Sequence, residues 1–141
     1  MEIDYGALLK KLQFKECMKC DFFQLPEDFR MEFRQLKNTV TDEENPAETG
    51  LDFFLAFVRE SVEAESAAVK YLHLLRKDAL LWFCFPKKTS TLQSAGLSRD
   101  HGWDYLMKQD YLPVRIISVD ETWSALRFRH RSLISKVTRK F

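Results

Sequence analysis

Two short and almost wholly apolar segments constrain the fold of this chain more than any other feature of its sequence. Residues 51–58 read Leu-Asp-Phe-Phe-Leu-Ala-Phe-Val, and residues 79–85 read Ala-Leu-Leu-Trp-Phe-Cys-Phe. Apolar runs of this length are typical of strands buried on both faces, as in parallel sheets covered by helices. Pro86 directly follows the second run and ends it. The two segments therefore predict the centre of a covered sheet.

The rest of the sequence alternates between helical and extended patterns. Pro26 suits the first turn of a helix, and Phe29 and Phe33 begin its apolar face. Residues 114–119 and 122–129, joined by Asp120-Glu121, predict a hairpin whose last strand runs antiparallel. The other predicted elements are helices at 4–14, 61–76 and 100–109, a strand at 17–23 and a weak strand at 38–41.

The predicted helices are expected to bury their larger apolar side chains. In the 61–76 helix the residues expected to face inward are Val62, Val69, Leu72 and Leu75, and in the 100–109 helix they are Trp103, Leu106 and Met107.

The order of elements predicts one α/β domain over residues 1–141, with a three-layer, Rossmann-like and mostly parallel sheet that ends in an antiparallel hairpin strand. Right-handed crossovers would place helices on both faces of the sheet. Residues 41–50 are acidic and read as a surface loop, and residues 130–141 form a basic tail. The C-terminal hairpin resembles the end of the class I methyltransferase topology.

Four segments carry a resemblance to a known family. They are 51–58, the strand and Pro-Lys-Lys sequence at 79–88, Arg99-Asp-His-Gly-Trp at 99–103, and the hairpin segment at 120–129. As a set they resemble one of the numbered bacterial families of small domains of unknown function. That resemblance implies a Rossmann-like fold and supplies no established activity.

The turn after the first predicted strand argues against a classical nucleotide site. Dinucleotide and S-adenosylmethionine sites of this architecture need glycines in that turn, so that the backbone can approach the ligand. Residues 22–29 contain no glycine, and Glu27 and Asp28 would repel a phosphate at the start of the helix. No cofactor is therefore predicted.

The cysteines predict neither a metal site nor a disulfide framework. Cys17 and Cys20 have the spacing of a redox or zinc pair, but the pair leads into a strand and no second cysteine pair follows. The start of the chain does not resemble a signal peptide, and no segment reaches the ~20 apolar residues of a membrane span. We expect a protein of the reducing cytoplasm.

The polar residues after the second buried run are the best candidates for a ligand site. Ligands of open α/β sheets bind beyond the carboxyl ends of the strands. The candidates are Lys87, Lys88, Thr89, Arg99, Asp100, His101 and Trp123. Together the cationic and hydroxyl groups could hold a small anion, and His101 oriented by Asp100 could act as a base. The alternative is a solvated loop followed by a helix cap.

The C-terminal part of the chain is basic, although the net charge of the whole chain is only +1. Seven basic residues lie between positions 115 and 141 against two acidic ones, and Arg127, Arg129 and Arg131 are expected on one face or edge of the hairpin. Lys136, Arg139 and Lys140 extend this patch. Contact with nucleic acid is one interpretation. A charged edge that prevents strand-to-strand association is the interpretation we favour, because the overall charge is near zero.

These patterns favour a non-catalytic binding or interaction domain, because the sequence links no nucleophile to a base. The partner would be a protein or a small anion; a membrane is not expected, and nucleic acid is the weakest alternative. An enzymatic or metabolite-binding site near residues 86–103 is the main alternative.

Overall fold

A computed structural model of the chain describes residues 4–15, 18–38, 50–88 and 96–134. In these ranges five strands form one mixed sheet with the order β1-β2-β3-β5-β4. The strands are β1 (Cys20–Phe23), β2 (Leu51–Phe57), β3 (Leu75–Pro86), β4 (Tyr111–Ser118) and β5 (Trp123–His130). The first three strands are parallel, and β5 runs antiparallel to both of its neighbours, β3 and β4. The predicted α/β class and antiparallel hairpin are confirmed.

Within the described ranges, four α-helices cover the sheet. They are α1 (Tyr5–Lys11), α2 (Glu27–Asn38), α3 (Ser61–Tyr71) and α4 (Asp104–Lys108), and single 3-10 turns occupy Leu72–Leu74 and Arg131–Leu133. Asp4 caps α1 by accepting a hydrogen bond from the Ala7 amide at 3.1 Å. No helix in the described ranges is long and apolar enough to cross a membrane.

The hydrophobic interior consists of two cores, one on each face of the sheet. The α1/α2 core is built by Leu8, Leu12, Phe29 and Phe33 from the helices and by Phe53, Leu55, Phe57, Trp82 and Trp123 from the strands. The α3/α4 core is built by Ala64, Ala67, Ala68, Trp103 and Leu106 from α3, α4 and its preceding loop, and by Phe54, Phe83, Leu126 and Phe128 from the strands. The three-layer architecture follows from this alternation along each strand.

The prediction of the inward face of α3 is wrong for its two valines. Val62 is 61% exposed and Val69 is 57% exposed, whereas the helix buries Ala64, Ala67 and Ala68. The sheet beneath α3 already carries large rings, so small side chains let the helix approach closely. Leu72 and Leu75 pack at the margin of the α3/α4 core.

The prediction for α4 is confirmed for two of its three residues. Trp103 and Leu106 are buried, and Met107 is 41% exposed. This helix begins at Asp104, four residues later than the sequence predicts.

Several element boundaries also differ from the prediction. β3 begins at Leu75, so the preceding helix ends at Tyr71 and not at residue 76. The sequence does not indicate that β3 begins here. Its first residues include Arg76, Lys77 and Asp78, which are charged, exposed and without an apolar pattern. Pro113 is tolerated in β4 because β4 lies at the edge of the sheet. For the predicted strand at 38–41, Asn38 ends α2 and the remaining positions lie outside the described residues.

Candidate functional site

The carboxyl ends of β1 and β2 form the first place where an open α/β sheet can hold a ligand. The helix after β1 is α2, which packs in the α1/α2 core, and the helix after β2 is α3, which packs on the other face. Adjacent parallel strands whose following helices diverge in this way leave a crevice between their ends. The crevice here lies between Gln24 and Phe57.

The Gln24 side chain bridges the two walls of this crevice. Its Nε2 donates to the backbone oxygen of Phe57 at 2.9 Å and to Oε2 of Glu63 at 3.1 Å. Glu63 is itself held in place, since its Oε1 accepts the backbone amides of Arg59 at 2.7 Å and Glu60 at 3.2 Å. The Gln24 backbone has φ of +56°, a left-handed conformation that glycine adopts more readily. A residue with a bonded side chain thus stands where a ligand would need open backbone.

A separate depression lies at the same edge of the sheet, on the side of α1 and α2. It has a volume of about 910 Å³. We call it the α1 cleft. Its walls come from the start of α1, the first turn of α2, the residue after β3 and the connection between β4 and β5. Its ionisable residues are Asp4, Tyr5, Lys11, Asp28, Lys87, Asp120 and Glu121.

Hydrogen bonds fix much of the α1 cleft wall. Lys87 donates from Nζ to Ser118 Oγ at 2.6 Å and from its backbone amide to the Thr122 carbonyl at 2.8 Å. Asp120 Oδ1 accepts the backbone amides of Thr122 and Trp123, each at 2.8 Å. The side chain of Asp120 therefore shapes the turn between β4 and β5 and leaves its charge at the cleft.

The predicted site residues do not gather in the α1 cleft. Lys87 lines it, Lys88 is exposed, and Thr89 lies outside the described residues. Trp123 is buried in the α1/α2 core, where its ring meets Phe57 edge to face at 5.1 Å. Its role in the structure is packing.

The predicted trio of Arg99, Asp100 and His101 lies apart from Lys87. The flanking residues Leu97 and Trp103 pack in the α3/α4 core, on the other face of the sheet from the α1 cleft. None of the trio lines the α1 cleft. The structure therefore does not bring the trio and Lys87 to one cleft.

Arg99, Asp100 and His101 make contacts with their sequence neighbours on an exposed turn. Arg99 and Asp100 form an ion pair at 3.2 Å, with about half of each side chain in solvent (51% and 59% exposed). His101 Nδ1 lies 3.2 Å from Ser98 Oγ, and the Ser98 carbonyl accepts the Trp103 Nε1–H at 2.7 Å. These bonds close a turn ahead of α4, and they do not orient His101 toward Asp100.

The predicted basic patch is partly neutralised. Arg129 donates to both carboxylate oxygens of Asp78 at 2.7 Å, and Arg127 Nη2 lies 3.7 Å from Asp78 Oδ1. Hydrogen bonding to Arg129 lowers the pKa of Asp78, and the charges of both arginines add to this effect. Arg131 lies 3.8 Å from Asp110. Lys136, Arg139 and Lys140 lie outside the described residues.

The cysteines and histidines form no metal site in the part of the chain that the structure describes. Cys20 and Cys84 are both buried. Cys17 lies outside the described residues, so its spacing to Cys20 has no structural test.

Sequence reasoning missed Gln24, Tyr5 and the carboxylates of the α1 cleft. Gln24 could have been noticed because it directly follows the first strand, where nucleotide-binding folds carry glycine. The α1 cleft carries no sequence signal, since its wall combines residues from four separate parts of the chain.

Comparisons with known proteins bear on the fold. No protein-family profile matches the chain, and no curated protein matches it in sequence. The resemblance to a bacterial family of unknown function therefore stays a prediction.

Two solved structures are similar to this chain over nearly its whole length. A SAM-dependent methyltransferase from Aquifex aeolicus is 14% identical, with a TM-score of 0.56 and 89% of each chain covered. A candidate type 11 methyltransferase from Sulfolobus solfataricus is 11% identical, with a TM-score of 0.50 and coverage of 96% of this chain and 95% of that one. At these identities the similarity shows a methyltransferase-like Rossmann fold.

Proposed function

We propose that this chain is a non-catalytic binding domain on a methyltransferase-like fold, and that its ligand occupies the α1 cleft. The observation that carries the proposal is the Gln24 bridge between the carboxyl ends of β1 and β2. The structural neighbour from Aquifex aeolicus is named for its dependence on S-adenosylmethionine, so binding of that cofactor is the competing expectation.

The bridge opposes cofactor binding for two physical reasons. A ligand in the crevice must break the two hydrogen bonds of the Gln24 amide, and it must leave the Glu63 carboxylate in a new environment. The turn also offers no glycine, so side chains keep a ligand away from the backbone amides that usually hold it. The crevice is therefore poorly suited to a nucleoside cofactor.

Among the residues that the structure describes, those with catalytic potential do not form a working set. His101 and Ser98 contact each other on an exposed turn, and the Ser98 hydroxyl also accepts the Asp100 amide at 3.4 Å. An acyl-transfer site would need this pair in a cleft beside donors that stabilise an oxyanion. The α1 cleft itself contains neither histidine nor cysteine among its lining residues. This supports binding without turnover.

Calorimetric titration with S-adenosylmethionine and S-adenosylhomocysteine tests the proposal. We expect no saturable heat from the wild-type protein at micromolar to millimolar cofactor. The Gln24→Gly variant, checked for folding by thermal unfolding, shows whether releasing the bridge opens the crevice. Saturable micromolar binding by the wild-type protein, or transfer of a labelled methyl group to any acceptor, would contradict the proposal.

A further inference from the structure

The α1 cleft is more acidic than basic. Four of its lining residues are carboxylates (Asp4, Asp28, Asp120 and Glu121), and two are lysines (Lys11 and Lys87). The side chains of Asp28 and Glu121 have no hydrogen bond or ion pair with any described residue. Two carboxylates on this wall are thus available to a ligand, while the Lys87 ammonium already donates to Ser118.

Tyr5 gives the cleft a rigid aromatic wall. Its ring meets Phe29 and Phe33 edge to face, at centroid distances of 6.3 and 6.0 Å. Its hydroxyl donates to the Asp28 carbonyl at 2.9 Å, which joins α1 to the first turn of α2. A fixed aromatic side chain beside carboxylates provides the groups that attract organic cations, through ion pairing and cation–π contact.

The carboxylates of the cleft affect the pKa values of neighbouring groups. Burial raises the pKa of Tyr5, and the charges of Glu32, Asp28 and Asp120 raise it further. Burial likewise raises the pKa of the Cys84 thiol well above its ordinary value, with a further contribution from Asp120. Beyond the effect of burial, the contributions of Asp28 and Asp120 have the sign of a negative potential at this edge of the sheet.

We propose that the α1 cleft binds a small organic cation that carries alkylammonium groups. The inference rests on the proposed function and names the ligand class of that site. The cleft volume of about 910 Å³ falls within the range of small-molecule sites. A ligand ammonium would contact Asp28 or Glu121 while its methylene groups pack on the Tyr5 ring. The small anion expected from the sequence would instead meet a wall with an excess of negative charge.

Replacing Lys87 by an uncharged residue shows the sign of the ligand charge. With a cationic ligand, Lys87 repels the ligand, so Lys87→Met strengthens binding severalfold. With an anionic ligand, the same change removes the main attractive group and weakens binding. The two ligand classes therefore predict opposite shifts in affinity for one variant.

The test is a titration of the isotope-labelled full chain followed by amide NMR spectra. The probes are spermidine, Nα-acetyl-lysine methylamide and inorganic phosphate at fixed ionic strength. We expect spermidine to shift the amide signals of Tyr5, Asp28 and Glu121 saturably. Added salt should weaken spermidine binding, because it screens the charges. The lysine derivative separates a lysine side chain from a free polyamine as the source of the ammonium.

Variants that neutralise one carboxylate at a time show which residues contribute to the binding free energy. Asp28→Asn and Glu121→Gln should each weaken spermidine binding about three- to fivefold, as expected for exposed ion pairs. Glu65→Gln is the matched control. Glu65 is exposed on α3, so this substitution removes the same charge at a position away from the cleft. Equal weakening by Glu65→Gln would show a nonspecific charge effect and overturn the proposal.

The remaining outcomes distinguish between the cation inference and the binding-domain proposal. Phosphate binding at these amides, lost in Lys87→Met, would overturn the cation inference and leave the binding-domain proposal intact. Spermidine shifts outside the cleft, or none with either amine, would overturn the inference. Cofactor binding in the separate calorimetric titration would overturn the proposed function, whichever amine result is obtained.

Discussion

The two cores that flank the sheet are built by different means. In the α3/α4 core, the alanines of α3 lie over large rings of the sheet, such as Phe54 and Phe83. In the α1/α2 core, both the helices and the strands contribute rings, and Phe29 stacks on Phe33 and contacts Phe57 at 5.2 Å. One face is thus closed mainly by small α3 residues that permit close approach, with Tyr71 stacked on Phe54 at the end of the helix, and the other by several aromatic side chains from both layers.

Polar bonds attach α1 to its core in addition to packing. Trp82 Nε1 donates to the Leu12 carbonyl at 3.0 Å, Arg127 Nη1 donates to Gln13 Oε1 at 3.0 Å, and Tyr5 donates to the Asp28 carbonyl. A seven-residue helix is not stable by itself in water. The wall of the α1 cleft therefore depends on a few separate bonds as well as on packing, whereas α3 depends on the fit of a whole surface.

The largest effect is expected from a cavity in the α3/α4 core. Phe83 is fully buried and meets the rings of Phe54, Trp103 and Phe128. Phe83→Ala should lower the free energy of unfolding by about 3–5 kcal/mol, measured by chemical denaturation. A loss below about 1 kcal/mol would show that this face can collapse around the missing ring, and the close-packed description would then be wrong.

A larger side chain on the buried face of α3 should also destabilise the fold, because this helix lies close to the sheet. Ala67 is fully buried, so Ala67→Leu should cost about 1–3 kcal/mol by pushing α3 away from the sheet. The control is Ser66→Leu at the neighbouring exposed position, which should stay within about 0.5 kcal/mol. Similar denaturation midpoints for both variants would remove the distinction between the two cores.

A smaller effect is expected from loss of one bond to α1. Trp82→Phe removes the indole donor and leaves the Leu12 carbonyl without it, at a cost of about 1–2 kcal/mol. Hydrogen exchange should show the Leu12 amide, which bonds to the Leu8 carbonyl, exchanging faster. Trp123→Phe is the matched control, since its indole nitrogen has no hydrogen bond among the described residues. Equal exchange in both variants would contradict a specific role for the Trp82 bond.

The smallest effect should come from Asp78, which pairs with Arg129 and with Arg127, the arginine that also bonds to Gln13 after α1. The pKa of the Asp78 carboxyl is lowered in the folded state. Its contribution to stability is therefore present above the unfolded pKa of about 3.9 and is lost as the pH falls through the folded pKa. Asp78→Asn should therefore lower the melting temperature slightly at pH near 7 and leave it unchanged in acid. A difference that persists in acid would point to a steric cause.

The fold was largely predictable from the sequence because its central strands are almost wholly apolar. The runs at 51–58 and 79–85 correspond to β2 and to most of β3, and the hairpin corresponds to β4 and β5. The inward face of α3 was not predictable from hydrophobicity, because Val62 and Val69 rank above alanine on any such scale. Their exposure depends on the size of Phe54 and Phe83 on the opposite layer, which the helix sequence does not contain.

The candidate site was predicted less well, for a related reason. The strand pattern placed Lys87 at the carboxyl edge of the sheet, and Lys87 does line the α1 cleft there. The face on which a loop returns is set by tertiary packing, and Leu97 and Trp103 carry the 99–101 segment to the other side. The acidic residues that line the α1 cleft together with Lys87 are distant from it in sequence.

The position of β5 has a consequence for synthesis. β5 follows β4 in the chain but lies between β3 and β4 in the sheet. A nascent chain that has reached residue 118 therefore contains β4 without the strand that joins it to β3, and the apolar residues 81–86 present an open hydrogen-bonding edge. The second half of the sheet can close only after β5 has emerged. A chain interrupted before that point should aggregate or be degraded, and it should not persist as a smaller folded domain.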